Sequence, residues 1–149
     1  MMRRARALQV LSWLGIVWML SACGSGRAVG GGPSDYFFPT WPYSAGDAVP
    51  LAITRGHLAA RNGCLFLDAS GQEPLPLWPS VFTLSGTDSP IITSDRGDEL
   101  HVGDVVMLGG GERSREQAEE LIGGRIPQRC TARSYWLVSS VVGPESSGS

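Results

Sequence analysis

The first 23 residues constrain the rest of the chain most strongly, because they indicate the compartment in which it folds. Three arginines within the first six residues precede an apolar run of 13 residues, 8–20, which is followed by the small residues Ser21 and Ala22. A basic head, a short apolar middle and a small-residue exit are typical of a secretory signal peptide. A membrane-spanning helix needs about 20 apolar residues. The pattern therefore predicts a signal peptide over residues 1–22 rather than a permanent membrane span.

The end of this stretch, Leu20-Ser21-Ala22-Cys23, resembles the lipobox of bacterial lipoproteins. The resemblance covers residues 1–23 and implies cleavage before Cys23, a diacylglycerol on the Cys23 sulfur and often an acyl chain such as palmitate on the new amine. Two or more acyl chains anchor a protein stably, whereas one binds a membrane only marginally. The implied location is the bacterial cell envelope, with the exported protein lipid-anchored to a membrane. The alternative is a soluble secreted protein in which the cysteine is coincidental.

The chain that follows the signal peptide is short and acidic. It has 149 − 22 = 127 residues, which is enough for one domain with a tether. Without the three signal-peptide arginines, nine basic residues face fourteen acidic ones, so the net charge is about 9 − 14 = −5. A nucleic-acid-binding surface needs a basic stripe to displace counterions. The charge and the export signal therefore argue against a nucleic-acid partner, and the sequence predicts no cofactor.

Two cysteines remain after lipidation of Cys23, namely Cys64 and Cys130. An even pair in a small exported domain indicates a disulfide. It would close a loop of 66 residues and contribute roughly 4 kcal/mol in the chain-entropy model. The competing interpretation is a metal site that combines both cysteines with His57 and His101. These residues lack the close pairwise spacing typical of zinc sites, so the sequence predicts no bound metal.

Residues 23–48 are predicted to form a tether in two parts. The stretch 24–32 is rich in Gly and Ser, a composition typical of flexible linkers. The aromatic segment, residues 36–43, could pack on the folded domain, contact the bilayer interface or bind a partner, in that order of preference. It holds five of the ten aromatic residues that follow the signal peptide, and these are the candidate binding residues: Tyr36, Phe37, Phe38, Trp41 and Tyr43.

Residues 49–142 are predicted to form a small β domain, followed by a disordered tail over 143–149. Asn62-Gly63 is a strong hairpin signal, because both turn positions require a positive φ. The prolines in 75–79 indicate an edge strand with a bend. A helix is predicted to begin after Ser114, which forms a Ser-x-x-Gln capping box with Gln117, and to end at Gly123.

About five strands and one short helix before the last strand favour a mainly β fold. We predict a small, partly open five-stranded barrel, which is OB-like because that fold also carries a single helix. The expected core consists of ten apolar side chains: Leu58, Leu65, Leu67, Trp78, Phe82, Val105, Met107, Leu121, Trp136 and Val138.

Several motifs within residues 54–140 resemble a family of small bacterial β-barrel domains. The resemblance implies no catalytic residue, and it supports the pairing of Cys64 with Cys130. The motifs that carry it are Gly56-His57-Leu58, Gly63-Cys64-Leu65, Leu77-Trp78-Pro79, Val102-Gly103-Asp104, Pro127-x-x-Cys130 and Tyr135-Trp136-Leu137-Val138.

Three shorter patterns are interpreted as ordinary loops. Arg96-Gly97-Asp98 spells an adhesion tripeptide, but Gly and Asp are common turn residues. Four acidic residues between positions 88 and 99 do not match the ligand spacing of a calcium loop. The glycines at 109–111 lack the Lys-Ser/Thr that completes a phosphate-binding loop, so a strained backbone corner is favoured.

The sequence offers no clear catalytic set. Nucleophilic catalysis needs an activated nucleophile, a base and an orienting acid. Only His57 and His101 could serve as histidine bases, and no Gly-x-Ser-x-Gly elbow is present. We therefore predict a non-catalytic binding or structural module with an envelope protein or a glycan as its partner. Two alternatives stay open: a small envelope hydrolase that uses His57 or His101, and a secreted inhibitor or oligosaccharide-binding module.

Overall fold

The computed structural model describes residues 35–44 and 46–142, so the predicted signal peptide, Cys23, the Gly/Ser-rich stretch and the tail lie outside the described residues. Within these ranges no helix is long and apolar enough to cross a membrane. The described elements are β1 Thr40–Trp41, β2 Ala52–Arg61, β3 Cys64–Asp68, β4 Leu75–Pro79, β5 Thr83–Ser85, β6 Ile91–Thr93, β7 Glu99–His101, β8 Val105–Arg113, α1 Arg115–Ile122, a 3-10 helix Gln128–Cys130 and β9 Tyr135–Val141.

The strands form two sheets, and the larger one curves into a partly open barrel. Its order is β1-β4-β9-β8-β2-β3, with β4 parallel to both β1 and β9 and the other pairs antiparallel. The two ends of this order approach each other, because Phe37 bridges Cys64 and the Leu67 N–H donates to the Pro74 carbonyl at 3.0 Å. The predicted fold class is therefore confirmed as mainly β, with one short helix and no closed barrel, but the large sheet has six strands rather than the predicted five.

The hairpin between β2 and β3 turns at Asn62-Gly63, as predicted. The two residues have φ values of 52° and 69°, the left-handed conformation that Asn and Gly tolerate best. The antiparallel register pairs Arg61 with Cys64 directly across this turn. The turn therefore fixes the position of Cys64.

Apolar side chains pack in two layers on opposite faces of the large sheet. Strands β3, β4 and β9 contribute to both, because successive side chains of a strand point to opposite faces. The barrel core comprises Phe38, Leu58, Leu65, Leu67, Trp78, Phe82, Leu84, Ile92, Leu100, Val106, Leu108 and Val138. The helix-side core comprises Trp41, Cys64, Phe66, Leu75, Leu77, Ala118, Ile122, Ile126, Cys130, Tyr135 and Leu137.

The core residues predicted for β2, β3 and β4 are correct. For β8 the residues predicted to be buried lie on the opposite face of the strand from those that are buried. Val105 is 37% exposed and Met107 is only partly buried, whereas Val106 and Leu108 lie in the barrel core. The run 105–108 is apolar at all four positions, so its composition does not reveal which alternate residues point inward. Leu121 and Trp136, also predicted as core, are partly buried at the margins of the two layers.

A small antiparallel sheet, β5-β6-β7, is formed within residues 83–101. Its central strand is β6, Ile91–Thr93. Each of the three strands buries its central residue and exposes or half-exposes its neighbours. The buried residues Leu84, Ile92 and Leu100 join the barrel core.

Strand β4 was predicted to lie at a sheet edge, but it lies between β1 and β9. The N–H groups of two β4 residues, and that of Ser80 just after the strand, donate to carbonyl groups on either side of it. Leu75 donates to Ser134 on the β9 side at 3.1 Å, and Trp78 and Ser80 donate to Pro39 and Trp41 on the β1 side at 2.9 Å. The prolines of β4 led to the prediction of an edge strand. In the structure β1, which belongs to the aromatic segment, pairs with that side of β4.

The glycine run at 109–111 forms a β-bulge. The register between β8 and β9 shifts between Gly109 and Gly110, and Gly110 has a φ of 155°. A Cβ at Gly110 would overlap the carbonyl group of Leu137. A residue without a side chain is therefore required where these two strands cross.

Helix α1 begins and ends as predicted. The Ser114 hydroxyl accepts from the Gln117 N–H, the Gln117 side chain accepts from the Ser114 N–H, and Gly123 adopts the left-handed C-cap conformation. The next loop is tied to the helix by Glu119, whose carboxylate accepts from the Ile126 N–H at 3.0 Å. This bond, and then the one from Arg115, lowers the pKa of Glu119.

Replacing Ser114 by Ala is expected to lower the free energy of unfolding by about 1 kcal/mol, because it removes the N-cap acceptor of a short helix. Urea unfolding followed by circular dichroism measures the change. Ser89→Ala is the matched control, since Ser89 is exposed and lies outside the helix. Equal stability of the two variants would contradict a stabilising role for the capping box.

Candidate functional site

The aromatic segment, residues 36–43, forms part of the barrel wall. Phe38 is 4% exposed and Trp41 is 5% exposed. The Phe38 ring stacks on Trp78 with 5.8 Å between centroids, and the Trp41 indole N–H donates to the Val138 carbonyl at 3.1 Å. The segment thus contributes one large side chain to each core layer.

Of the three interpretations of the segment, packing on the folded domain is the one that applies to Phe38 and Trp41. Phe38 and Trp41 are buried and do not form an exposed binding surface, because they fill space between the strands. Tyr36, Phe37 and Tyr43 remain half-buried. The folded domain therefore includes the aromatic segment. It begins well ahead of residue 49, the start that was predicted from the sequence.

Cys64 and Cys130 form the predicted disulfide. Their Cα atoms are 5.5 Å apart, and neither residue is exposed. Both thiols are consumed by this bond, so they are not available as thiolate ligands of the alternative metal site. Among the described residues, no group of three or more His, Cys, Asp or Glu side chains could hold a metal ion.

The two histidines lie on the surface, and no nucleophile among the described residues is their hydrogen-bond partner. His57 Nδ1 lies 3.3 Å from the Gly103 carbonyl oxygen, and His101 Nε2 lies 3.7 Å from a Glu99 carboxylate oxygen. Neither contact involves a hydroxyl or a thiol that the imidazole could activate. Within residues 35–44 and 46–142, neither histidine is therefore paired with a nucleophile.

The tripeptide Arg96-Gly97-Asp98 belongs to a tight turn. The Ser94 hydroxyl accepts from the N–H groups of Arg96 and Asp98 and donates to the Asp98 carboxylate at 3.1 Å. Gly97 has a φ of 85°, as expected for a turn glycine. The turn interpretation of this sequence is therefore confirmed.

A cleft beside the disulfide brings together charged residues from two distant parts of the sequence. It has a volume of about 220 Å³, and we call it the arginine cleft. The guanidinium of Arg61 donates to Glu73 at 2.8 Å and lies 4.8 Å from the centroid of the Phe66 ring. The cleft is lined by Arg61, Phe66, Gly71, Glu73 and residues 131–133.

The opposite wall of the cleft carries Arg133, which is exposed. Arg133 makes no ion pair or side-chain hydrogen bond with any residue that the structure describes. A third arginine, Arg129, lies nearby against the β2–β3 turn, since a Cβ on Gly63 would be 3.6 Å from its Nε. The cleft and its margin thus hold more positive than negative side chains.

The loop that supplies this wall is held in place from several sides. The disulfide joins it to β3, and the guanidinium of Arg115 donates to the Thr131 hydroxyl at 3.1 Å and to the Ile126 carbonyl at 2.8 Å. These bonds fix the backbone from which Arg133 projects. The backbone that carries Arg133 is therefore held beside the cleft.

Sequence reasoning missed the arginine cleft. Its residues lie at 61–73 and 131–133, and no short motif joins these ranges. The cysteine pair is the feature of the sequence that points to the cleft, because a disulfide between Cys64 and Cys130 places their sequence neighbours close together. The arginines at 61, 129 and 133 are therefore neighbours in space as a consequence of that pairing.

Comparisons of this chain with known protein families, with curated proteins and with solved structures find no match. The resemblances to bacterial lipoproteins and to a family of small bacterial β-barrel domains therefore stay predictions from the sequence.

Proposed function

We propose that this chain is a lipid-anchored protein of the bacterial cell envelope. Its signal peptide directs export, and the lipid on Cys23 holds it to a membrane. The domain over residues 35–142 serves as a non-catalytic binding module that stays close to the membrane surface. The proposal follows from the pattern of residues 1–23 together with the chemistry of the folded domain.

The Cys64–Cys130 disulfide is the observation that supports this proposal best. Such bonds persist in oxidising compartments outside the cytoplasm and are rare within it. The disulfide and the signal pattern are independent features of the chain, since they lie in different segments and rest on different chemistry. Both point to the same side of the cytoplasmic membrane.

The binding half of the proposal rests on the surface of the domain. In the described part of the chain the two histidines have no hydrogen-bonded nucleophile, whereas the arginine cleft presents guanidinium groups that no described residue fully neutralises. Convergent charged groups in a concave site are a common basis for ligand binding. Binding is therefore the function that the charged groups of this surface favour over catalysis.

Native mass spectrometry of protein extracted in detergent from its own membranes tests the anchor and the disulfide together. The expected mass is that of residues 23–149 plus acyl groups, lower by two hydrogen atoms for the disulfide. A Cys23→Ala variant is expected to carry no acyl group. An unacylated wild-type chain with free thiols at Cys64 and Cys130 would overturn the proposal.

A further inference from the structure

We infer that the arginine cleft binds a phosphate group, and that in the anchored protein this phosphate belongs to the headgroup of an anionic lipid. The first statement rests on the geometry of the cleft alone. The second rests on the proposed lipid anchor at Cys23. The phosphate site and its lipid source are therefore inferred from different observations and can be tested separately.

The charge of the cleft is opposite to that of the domain around it. The described residues include eight arginines against thirteen acidic residues, a balance of 8 − 13 = −5. The cleft holds Arg61 and Arg133 against Glu73, and Arg129 and Asp35 lie at its margin around Gly63, which leaves three positive side chains against two negative ones. A positive concavity on an acidic domain attracts anions there and repels them elsewhere.

The two guanidinium groups favour phosphate over carboxylate. Each guanidinium presents several N–H donors in a planar fork that matches the oxygens of a phosphate. The guanidinium of Arg61 donates to the Glu73 carboxylate at 2.8 Å and lies 4.8 Å from the centroid of the Phe66 ring, so it already has two neighbours in the cleft. Arg133 on the other wall is unpaired among the described residues. A phosphate has enough oxygens to accept from both walls at once, which a two-oxygen carboxylate does less well.

The path of the chain places this cleft near the proposed anchor. The Phe37 N–H donates to the Gly63 carbonyl at 2.7 Å, and Gly63 also lies against Asp35 and Arg129. The described chain therefore starts beside the arginines. Asp35 follows Cys23 by twelve residues, which span at most about 40 Å in any conformation. Anionic lipid headgroups attract basic side chains that lie close to the membrane surface.

The test of the first statement uses the chain from residue 23 to 149 with Cys23→Ser, which leaves every described residue unchanged. Inorganic phosphate is titrated against chloride at matched ionic strength, and the side-chain Nε–Hε signals of Arg61 and Arg133 are followed by NMR. Saturable shifts are expected with phosphate only. Arg133→Gln is expected to raise the Kd at least about tenfold, because it removes a charge-assisted donor set.

Arg96→Gln is the matched control, since Arg96 is an exposed arginine in the turn after β6. Its Kd for phosphate is expected to equal that of the parent chain. Equal affinity in the Arg133→Gln variant, or shifts that chloride reproduces, would overturn the assignment of the cleft.

The second statement is tested with the acylated protein in lipid nanodiscs. The same two signals are expected to shift in discs that contain phosphatidylglycerol and not in discs of phosphatidylcholine alone. Shifts with free phosphate but not with phosphatidylglycerol would keep the phosphate site and overturn its membrane source. The mass of the protein reports acylation separately, so an absent anchor is distinguishable from an empty cleft.

Discussion

Replacing Trp41 by Ala is expected to lower the free energy of unfolding by about 3–5 kcal/mol, the usual cost of removing a large buried aromatic side chain. Trp41 is 5% exposed and lies in the helix-side core. The substitution also leaves the Val138 carbonyl without the indole donor that it accepts from at 3.1 Å. Since small domains are stable by only about 5–15 kcal/mol, a large part of the total stability would be lost. Urea unfolding followed by circular dichroism measures the effect.

Two further variants separate the causes of this loss. Trp41→Phe keeps most of the apolar volume but removes the indole N–H, so it is expected to cost about 1–3 kcal/mol. Leu51→Ala is the control for an apolar residue in solvent, because Leu51 is 91% exposed, and it should change stability by less than about 0.5 kcal/mol. If Trp41→Ala behaved like Leu51→Ala, the aromatic segment would not be part of the folded wall.

Removing the disulfide is expected to cost about 4 kcal/mol, because the bond closes a loop of 66 residues in the unfolded chain. The double variant Cys64→Ala, Cys130→Ala removes it, and a Cys23→Ser background prevents thiol exchange. Because the disulfide also joins β3 to the 130–133 loop, its loss should weaken phosphate binding at the arginine cleft. Denaturant midpoints and the phosphate titration give the two readouts.

Reductant provides the control for this prediction. It should lower the midpoint of the parent chain to about that of the double variant and leave the double variant unchanged. Unchanged stability of the fully reduced parent chain would show that the disulfide does not restrict the unfolded state to the expected extent.

The features that the sequence predicts well depend on residues close together along the chain. The Asn62-Gly63 turn and the Ser114–Gln117 capping box each involve residues at most three positions apart. Their geometry follows from local backbone preferences and short hydrogen bonds. Local chemistry alone therefore determines where β2 turns back and where α1 begins.

Features that depend on long-range pairing are less predictable. The parallel contact of β1 with β4 joins Thr40 to Trp78 and Trp41 to Pro79, and a two-residue strand leaves no periodic pattern. Nothing in the local sequence of the aromatic segment indicated which strand it would cover. The face of β8 was missed for a related reason, because all four residues of 105–108 are apolar.

In the candidate site, too, some features could be predicted from the sequence and others depend on long-range contacts. The cysteine pair was predicted from its number and compartment, and the structure contains the bond. The cleft beside it depends on which side chains the disulfide brings together and on how Arg115 holds residues 126–131. These contacts arise only in the folded chain, so Arg61, Glu73 and Arg133 carry no recognisable motif.

Hydrogen exchange at two amides tests most directly the claim that the aromatic segment is part of the barrel wall. The N–H groups of Trp78 and Ser80 donate to the carbonyls of Pro39 and Trp41, so they are protected only while the segment is docked. Both amides are expected to exchange as slowly as those that pair β8 with β9, with an opening free energy close to that of global unfolding. Exchange of both amides at the rate of solvent-exposed loops, with the β8–β9 amides still protected, would contradict it.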